Sequence, residues 1–279
     1  MRLVGVTAMS NRLHQMLDRA LNAPGFKQWR RSRFDADFDR AAYGGICRGV
    51  FKTYEEAAKS APGTLPLGYD HEAPAAMYGD RLERVFPSDY PMMLWLERAF
   101  ADGASRVFDL GGHVGISYYA YQKYLAYPNN LAWQVADVPA VNRAGAEMAS
   151  ERDRRHQLKF VGSFDHAGDA DVLFTSGCLQ YLPETLAAKL QPLPKKPRWV
   201  LVNLLPLHDR LEYWTVENIG TAFCPYRIQQ KSTFFDDLKR LNYDLLDVWE
   251  NREKSCAVAF SPEHCLDRYF GAALKLGHH

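Results

Sequence analysis

Phe108-Asp109-Leu110-Gly111-Gly112-His113-Val114-Gly115 is the stretch from which this chain is read. The residues leading into it, Arg106-Val107-Phe108-Asp109-Leu110, are apolar and β-prone, and the residues after it have the pattern of a helix over 114–126. A glycine-rich turn between a strand and a helix lets backbone N–H groups approach a ligand at the helix N-terminus.

Working outward, the chain from Ser105 alternates short β-rich runs with helical stretches. That alternation predicts βαβ units and a parallel sheet. The strands fall at Arg106–Leu110, Ala132–Asp137, Leu158–Val161, Asp171–Thr175 and Trp199–Leu204, with helices over 114–126, 139–152 and 183–190. Residues 162–170 are too few for a full helix, so that crossover is expected to be a loop. A helix follows at 232–241, its apolar residues Phe234, Phe235, Leu238 and Leu241 at helical spacing. Tyr243–Trp249 and Cys256–Phe260 flank a polar turn and predict a terminal antiparallel hairpin. The expectation is a Rossmann-like α/β sheet, mostly parallel, over residues 101–279. Residues 1–100 form an N-terminal helical extension that caps it.

Two acidic residues give the loop its chemistry. Asp109, two positions before Gly111, suits a cationic amino group through a charge-assisted hydrogen bond. Asp137, at the end of the second strand, can accept both hydroxyls of a ribose. Gly111, Gly112 and Gly115 place His113 where a dinucleotide fingerprint carries its middle glycine, and the acidic residue before the loop fits an amino-acid head better than a pyrophosphate. The ligand expected is S-adenosyl-L-methionine. A nicotinamide-dependent oxidoreductase, or a non-catalytic module that keeps the fold and the ligand, is the alternative.

On these residues the chain resembles the class I S-adenosylmethionine-dependent methyltransferases, whose first motif is D-x-G-x-G-x-G. Asp109, Gly111 and Gly115 match it and His113 departs from it. Gly49–Ala57, the glycine loop with Tyr118-Tyr119, Ser176–Leu182 and Pro225-Tyr226-Arg227 resemble, more closely, a bacterial methyltransferase family often encoded near surface-polysaccharide genes. The resemblance implies the fold, the cofactor and a small-molecule methyl acceptor such as a sugar or surface-polysaccharide precursor. It implies no catalytic base.

Further candidates come from position along the sheet. Phe164, after the third strand, is placed to stack on an adenine, with Asp165 beside it. Ser176 and Tyr181, after the fourth strand, are placed to line the pocket near the transferred methyl group. His113, His208 and Tyr181 are the candidate catalytic groups. Trp29, Phe51, Tyr54 and Tyr69 are the aromatics through which the extension would enclose an acceptor.

The totals exclude other classes. The 279 residues carry 34 Lys+Arg against 33 Asp+Glu, a balance with no pull toward nucleic acid. Five cysteines, none in a C-x-x-C, argue against a disulfide framework, and no cluster has metal-ligand spacing. Met1–Val6 is too short for a signal-peptide core, and no apolar run approaches a membrane span, so a cytoplasmic protein is expected. The oligomeric state is not encoded in any of these features.

Overall fold

The computed structural model describes residues 24–40, 44–70 and 79–277. The N-terminal stretch read for a signal peptide lies outside the described residues. In chain order the elements are α1 (Pro24–Asp39), β1 (Ile46–Phe51), α2 (Tyr54–Ser60), α3 (Tyr90–Ala101), β2 (Arg106–Leu110), α4 (Ile116–Tyr121), β3 (Ala132–Ala136), α5 (Pro139–Arg152), β4 (Leu158–Val161), β5 (Val172–Ser176), α6 (Leu186–Leu190), β6 (Trp199–Leu205), β7 (Leu207–His208), β8 (Tyr213–Asn218), β9 (Phe223–Gln230), α7 (Lys231–Arg240), β10 (Tyr243–Asn251) and β11 (Tyr269–Leu276).

Seven strands form the main sheet in the order β10-β11-β6-β5-β2-β3-β4. Strands β6, β5, β2, β3 and β4 are mutually parallel, and β11 runs antiparallel between β6 and β10. The central strands are buried on both faces. All seven residues of β6, Trp199–Leu205, are buried, as expected of a parallel strand covered by helices on either side. One face packs α3 through Met92, Trp95, Leu96 and Ala99 against Trp133, Val135 and Phe174. The other packs α6 and α7 through Leu186, Leu190, Phe234 and Leu238 against Leu173, Val200 and Val202. Burying each such large side chain contributes about 1.5–3 kcal/mol.

The order reverses at β2. From there the chain builds outward through β3 and β4, then returns to place β5 on the other side of β2. That reversal opens a crevice at the carboxyl ends of β2 and β5, where open α/β sheets bind ligands.

The terminal hairpin is real, but its second strand is β11 and not Cys256–Phe260. Tyr243–Asn251 pairs with Tyr269–Leu276. Gly271 is needed there, because a Cβ would lie 2.1 Å from the ring of Trp249. Cys256 and Val258 instead bridge singly to Leu266 and Cys47 and fill a small cluster with Tyr226 and Leu204.

The extension is not purely helical. Its strand β1 pairs antiparallel with β8, within a second sheet of order β1-β8-β9-β7. Three strands of that sheet lie in residues 207–230, between β6 and α7. Phe51 and Tyr54 pack against this sheet with Phe38 and Trp214, and Trp29 is 54% exposed. Of the four aromatics expected at the acceptor, Tyr69 alone meets a site residue: its ring lies edge-on to Tyr181, centroids 5.0 Å apart.

Candidate active site

The loop after β2 is built around its glycines. Gly111 has φ +72, and a Cβ there would lie 2.4 Å from both Cβ and Sγ of Cys178, on the loop after β5. A side chain at this position would therefore wedge apart the two loops that flank the crevice. Gly112 has no such backbone need. Its Cβ would strike the Asp109 carboxyl at 2.4 Å, so the bare residue is what lets that carboxyl tuck beneath the loop. Gly115 stands at the N-terminus of α4.

His113 departs from the glycine pattern in identity but not in conformation. Its φ is +56, in the left-handed region that histidine visits more readily than most residues. Its backbone N–H donates to Asp137 Oδ2 at 2.9 Å. Asp137 Oδ1 accepts the N–H of Val138 at 2.8 Å. The second-strand carboxylate thus braces the loop from the next strand. Burial raises its pKa, partly offset by the Val138 and His113 backbone N–H groups.

Asp109 is 1% exposed and accepts the indole N–H of Trp133 at 3.0 Å. Burial pushes its carboxyl up to about 7, held down in part by that indole and pushed further by the charge of Asp137. Burial disfavours the ionised form of a carboxyl, and a cation placed beside it would favour that form again.

A cleft opens beside these groups, lined by Asp109, Gly111, Gly112, His113 and Ser176. It is also lined by Arg81, Arg84 and Asp89, which precede α3. The guanidinium groups of Arg81 and Arg84 lie 4.8 and 5.1 Å from the Phe86 ring centroid. Asp89 is buried and accepts the N–H of Phe86 at 2.8 Å. Other links tie the extension to this edge. Asp70 accepts the N–H of Ala140 at 3.3 Å, and Asn203, at the end of β6, donates to Ser88 O at 2.9 Å. Sequence reading missed the two arginines, because no spacing ties residues 81 and 84 to a loop that begins at 111.

The remaining candidates divide. Tyr181 lies in a 3-10 turn after β5 and donates to Glu217 Oε2 at 2.7 Å. Burial raises its pKa well above the ordinary value, and the charge of Glu217 adds to this. Phe164 sits edge-on to Phe108 at 5.5 Å, under Lys189 Nζ at 5.2 Å, and Asp165 accepts from its neighbour Ser163. His208 is held in a structural role. Its Nδ1 accepts the N–H groups of Arg210 and Leu211 at 3.0 and 2.9 Å, and Nε2 lies 3.1 Å from Glu263 O. With one nitrogen accepting twice and the other donating, the ring is fixed in one tautomer and offers no lone pair to a substrate.

Glu217, on β8, is the group that sequence reading overlooked. Burial raises its carboxyl to about 7, with the Tyr181 hydroxyl and Lys254 acting the other way. It was hidden because β8 itself was not read as a strand: Tyr213–Asn218 follows a proline-interrupted stretch with no clear alternation.

No group of His, Cys, Asp and Glu among the described residues could hold a metal ion. Among them no helix is long and apolar enough to cross a membrane.

No family model matches the chain and no curated protein matches it. Solved structures do share its outline. The N-terminal domain of EvdMO1 with SAH bound is 12% identical, covering 73% of this chain and 85% of that one at TM-score 0.47. The [4+2]-cyclase SpnF is 13% identical, covering 68% and 82% at TM-score 0.48. The 1,6-didemethyltoxoflavin-N1-methyltransferase of Burkholderia thailandensis is 17% identical, covering 78% and 95% at TM-score 0.40. At such identities and TM-scores these likenesses say nothing of what this chain binds or does.

Proposed function

We propose that the chain is an S-adenosylmethionine-dependent methyltransferase acting on a small molecule. The observation that carries this reading is one cleft lined by groups of opposite charge. Asp109, Arg81 and Arg84 all line it, together with Asp89. An amino acid head group carries one ammonium and one carboxylate, and this cleft has a partner for each. Asp109 would take the ammonium. Arg81 and Arg84 would take the carboxylate. Asp137 has two oxygens already braced by backbone N–H groups, and its remaining lone pairs would accept the ribose hydroxyls. Phe164 would border the adenine and Ser176 the methionine chain. The residues present therefore fit the cofactor.

Bound there, S-adenosylmethionine would supply an electrophilic methyl group on a sulfonium. The chain's own part is to hold donor and acceptor in line and to exclude water. In this reading residues 1–100 act as the cap over residues 101–279, through Tyr69, Asp70, Arg81, Arg84 and Ser88.

Thermal shift tests the donor. S-adenosylhomocysteine at a hundred times its Kd should stabilise the protein by about 2.7 kcal/mol, and NADH should do nothing. Stabilisation by NADH alone would establish the oxidoreductase alternative. Binding without turnover on any acceptor would establish the non-catalytic one. The resemblance would make the acceptor a sugar or surface-polysaccharide precursor, which a panel of sugar nucleotides checks. The walls on the acceptor side favour a different class.

A further inference from the structure

Beyond Cys178, one 3-10 turn along from its contact with Gly111, the chain reaches Tyr181 and, through it, Glu217. Three features set this carboxylate apart. It projects from β8, a strand of the small sheet, onto a residue of the main sheet's ligand edge. Among the described residues its side-chain hydrogen-bond partner is a single phenol, the Tyr181 hydroxyl at 2.7 Å, although an ionised carboxylate has room for about four such bonds. The groups packed around it are aromatic rings and thiols, and the cation that acts on it is Lys254. Tyr69 and Tyr226 stand edge-on to Tyr181 at 5.0 and 5.2 Å. Cys47 and Cys224 are its cross-strand neighbours on β1 and β9.

A carboxylate so placed costs folding energy and has no arginine or lysine bonded to it in return. Half-buried, desolvated acids of this kind concentrate at functional sites. We propose that Glu217 is the base that takes the proton from the acceptor, and that the acceptor is an aromatic hydroxyl held against Tyr69 and Tyr181. The proposal rests on the methyl-donor reading above for its reaction and replaces only the sugar as acceptor. Two physical reasons favour a phenol. A sugar brings several hydroxyls, each needing a hydrogen-bond partner once desolvated, whereas these walls offer phenol edges and one carboxylate. A carboxyl raised to about 7 is also far closer in basicity to a phenolate than to the alkoxide of a sugar, and proton transfer is efficient when the two are matched.

The step balances. The acceptor O–H bond breaks and its proton passes to a Glu217 oxygen. The acceptor oxygen forms a bond to the methyl carbon as the carbon–sulfur bond breaks. The products are an aryl methyl ether, S-adenosylhomocysteine and a protonated Glu217, which then returns its proton to solvent. Tyr181, bonded to the same carboxylate, positions it.

The test uses the full chain with p-cresol, which is un-ionised at neutral pH and so needs a base, and follows O-methylation by gas chromatography. The wild-type protein should bind p-cresol in the presence of S-adenosylhomocysteine and convert it to 4-methylanisole with S-adenosylmethionine. Glu217→Gln, nearly isosteric, should lower kcat about a hundredfold while S-adenosylhomocysteine binds with unchanged affinity by calorimetry. Tyr69→Phe keeps the ring and should alter kcat less than tenfold. Failure of the wild type to bind p-cresol would overturn the proposal. So would a Glu217→Gln kcat within twofold of wild type, or Glu217-dependent binding of UDP-glucose in place of the phenol. If S-adenosylhomocysteine does not bind the wild type, the donor reading fails. Loss of p-cresol binding in Glu217→Gln would still register the acceptor site on its own.

Discussion

In the proposed reading, the carboxyl of Asp109 would make cofactor binding a proton-linked event, and the size of the linkage can be worked from the site. With no cation beside it, the group titrates at about 7 because it is buried. At about pH 6 roughly nine in ten copies therefore carry a proton. An ammonium placed against the carboxyl favours its ionised form and pulls the pKa back toward the ordinary range. Binding must then expel the proton below pH 7, and affinity should fall about tenfold for each further pH unit. From about pH 8 to about pH 5 the loss approaches a hundredfold, or about 2.7 kcal/mol. Isothermal titration calorimetry with S-adenosylhomocysteine measures this directly. At about pH 6 the apparent enthalpy should vary with the ionisation enthalpy of the buffer, with release of close to one proton per site. Asp109→Asn can still accept the Trp133 N–H. It should lose the pH dependence and bind about 1.5–3 kcal/mol more weakly at pH 8. An affinity that is flat from pH 8 to pH 5, with no buffer effect, would refute the contact between Asp109 and the ammonium. His113 lies in the same loop, and His113→Gly with its pH dependence intact separates the two groups.

Other outcomes follow from the same site. Asp137→Asn should weaken S-adenosylhomocysteine about tenfold to a hundredfold and also lower the melting temperature, because Oδ2 braces the loop through His113; an unchanged affinity by calorimetry would remove Asp137 from the ribose. His113→Gly should preserve cofactor affinity within about threefold and leave stability within about 1 kcal/mol, since glycine adopts φ +56 freely; a loss above tenfold would show that the imidazole touches the ligand. The free protein should lose stability as pH rises. Asp109 has a folded-state pKa above its ordinary 3.8, so its contribution is fully present below about pH 4 and is lost as pH passes through about 7. The shift corresponds to a loss on the order of 4 kcal/mol, and urea melts of Asp109→Asn at pH 5 and pH 8 should show a flatter dependence than wild type.

Much of the main sheet is legible in the sequence because its signals are local. Strands β2, β3, β4, β5 and β6 are short apolar runs between turn residues, and each is found within a residue of its expected bounds. Helix α5 spans Pro139–Arg152 as its pattern implies, with proline in the first turn where its missing N–H costs nothing. Helix α6 starts later than the pattern suggests, at Leu186, because Thr185 caps it by accepting the N–H of Ala188. Strand β11 is not legible. Gly271-Ala272-Ala273 has poor β propensity in isolation, and it becomes a strand because small residues fit between β6 and the Trp249 ring. Asp109, Gly111, Gly112 and Asp137 are readable because one loop and the next strand bring them together.

The acceptor side follows a different logic. Glu217 reaches the ligand edge only because β8 is sandwiched between β1 and β9, and β1 comes from the other end of the chain. Cys47 and Glu217 are cross-strand partners separated by the whole of the parallel sheet in sequence. No local periodicity can carry such a pairing, since neither strand buries its faces without the other. Tyr69 likewise meets Tyr181 only after β1 has docked, and Arg81 and Arg84 approach the glycine loop from the same extension. Asp109, the glycine loop and Asp137 are thus brought together within one βαβ segment, whereas Glu217, Tyr69, Arg81 and Arg84 are placed by the association of two distant ones. The N-terminal extension and the insertion after β6 therefore form a single structural unit. A substitution that unpairs β1 from β8 should disturb Glu217 and the acceptor while Asp137 and the braced loop stay in place.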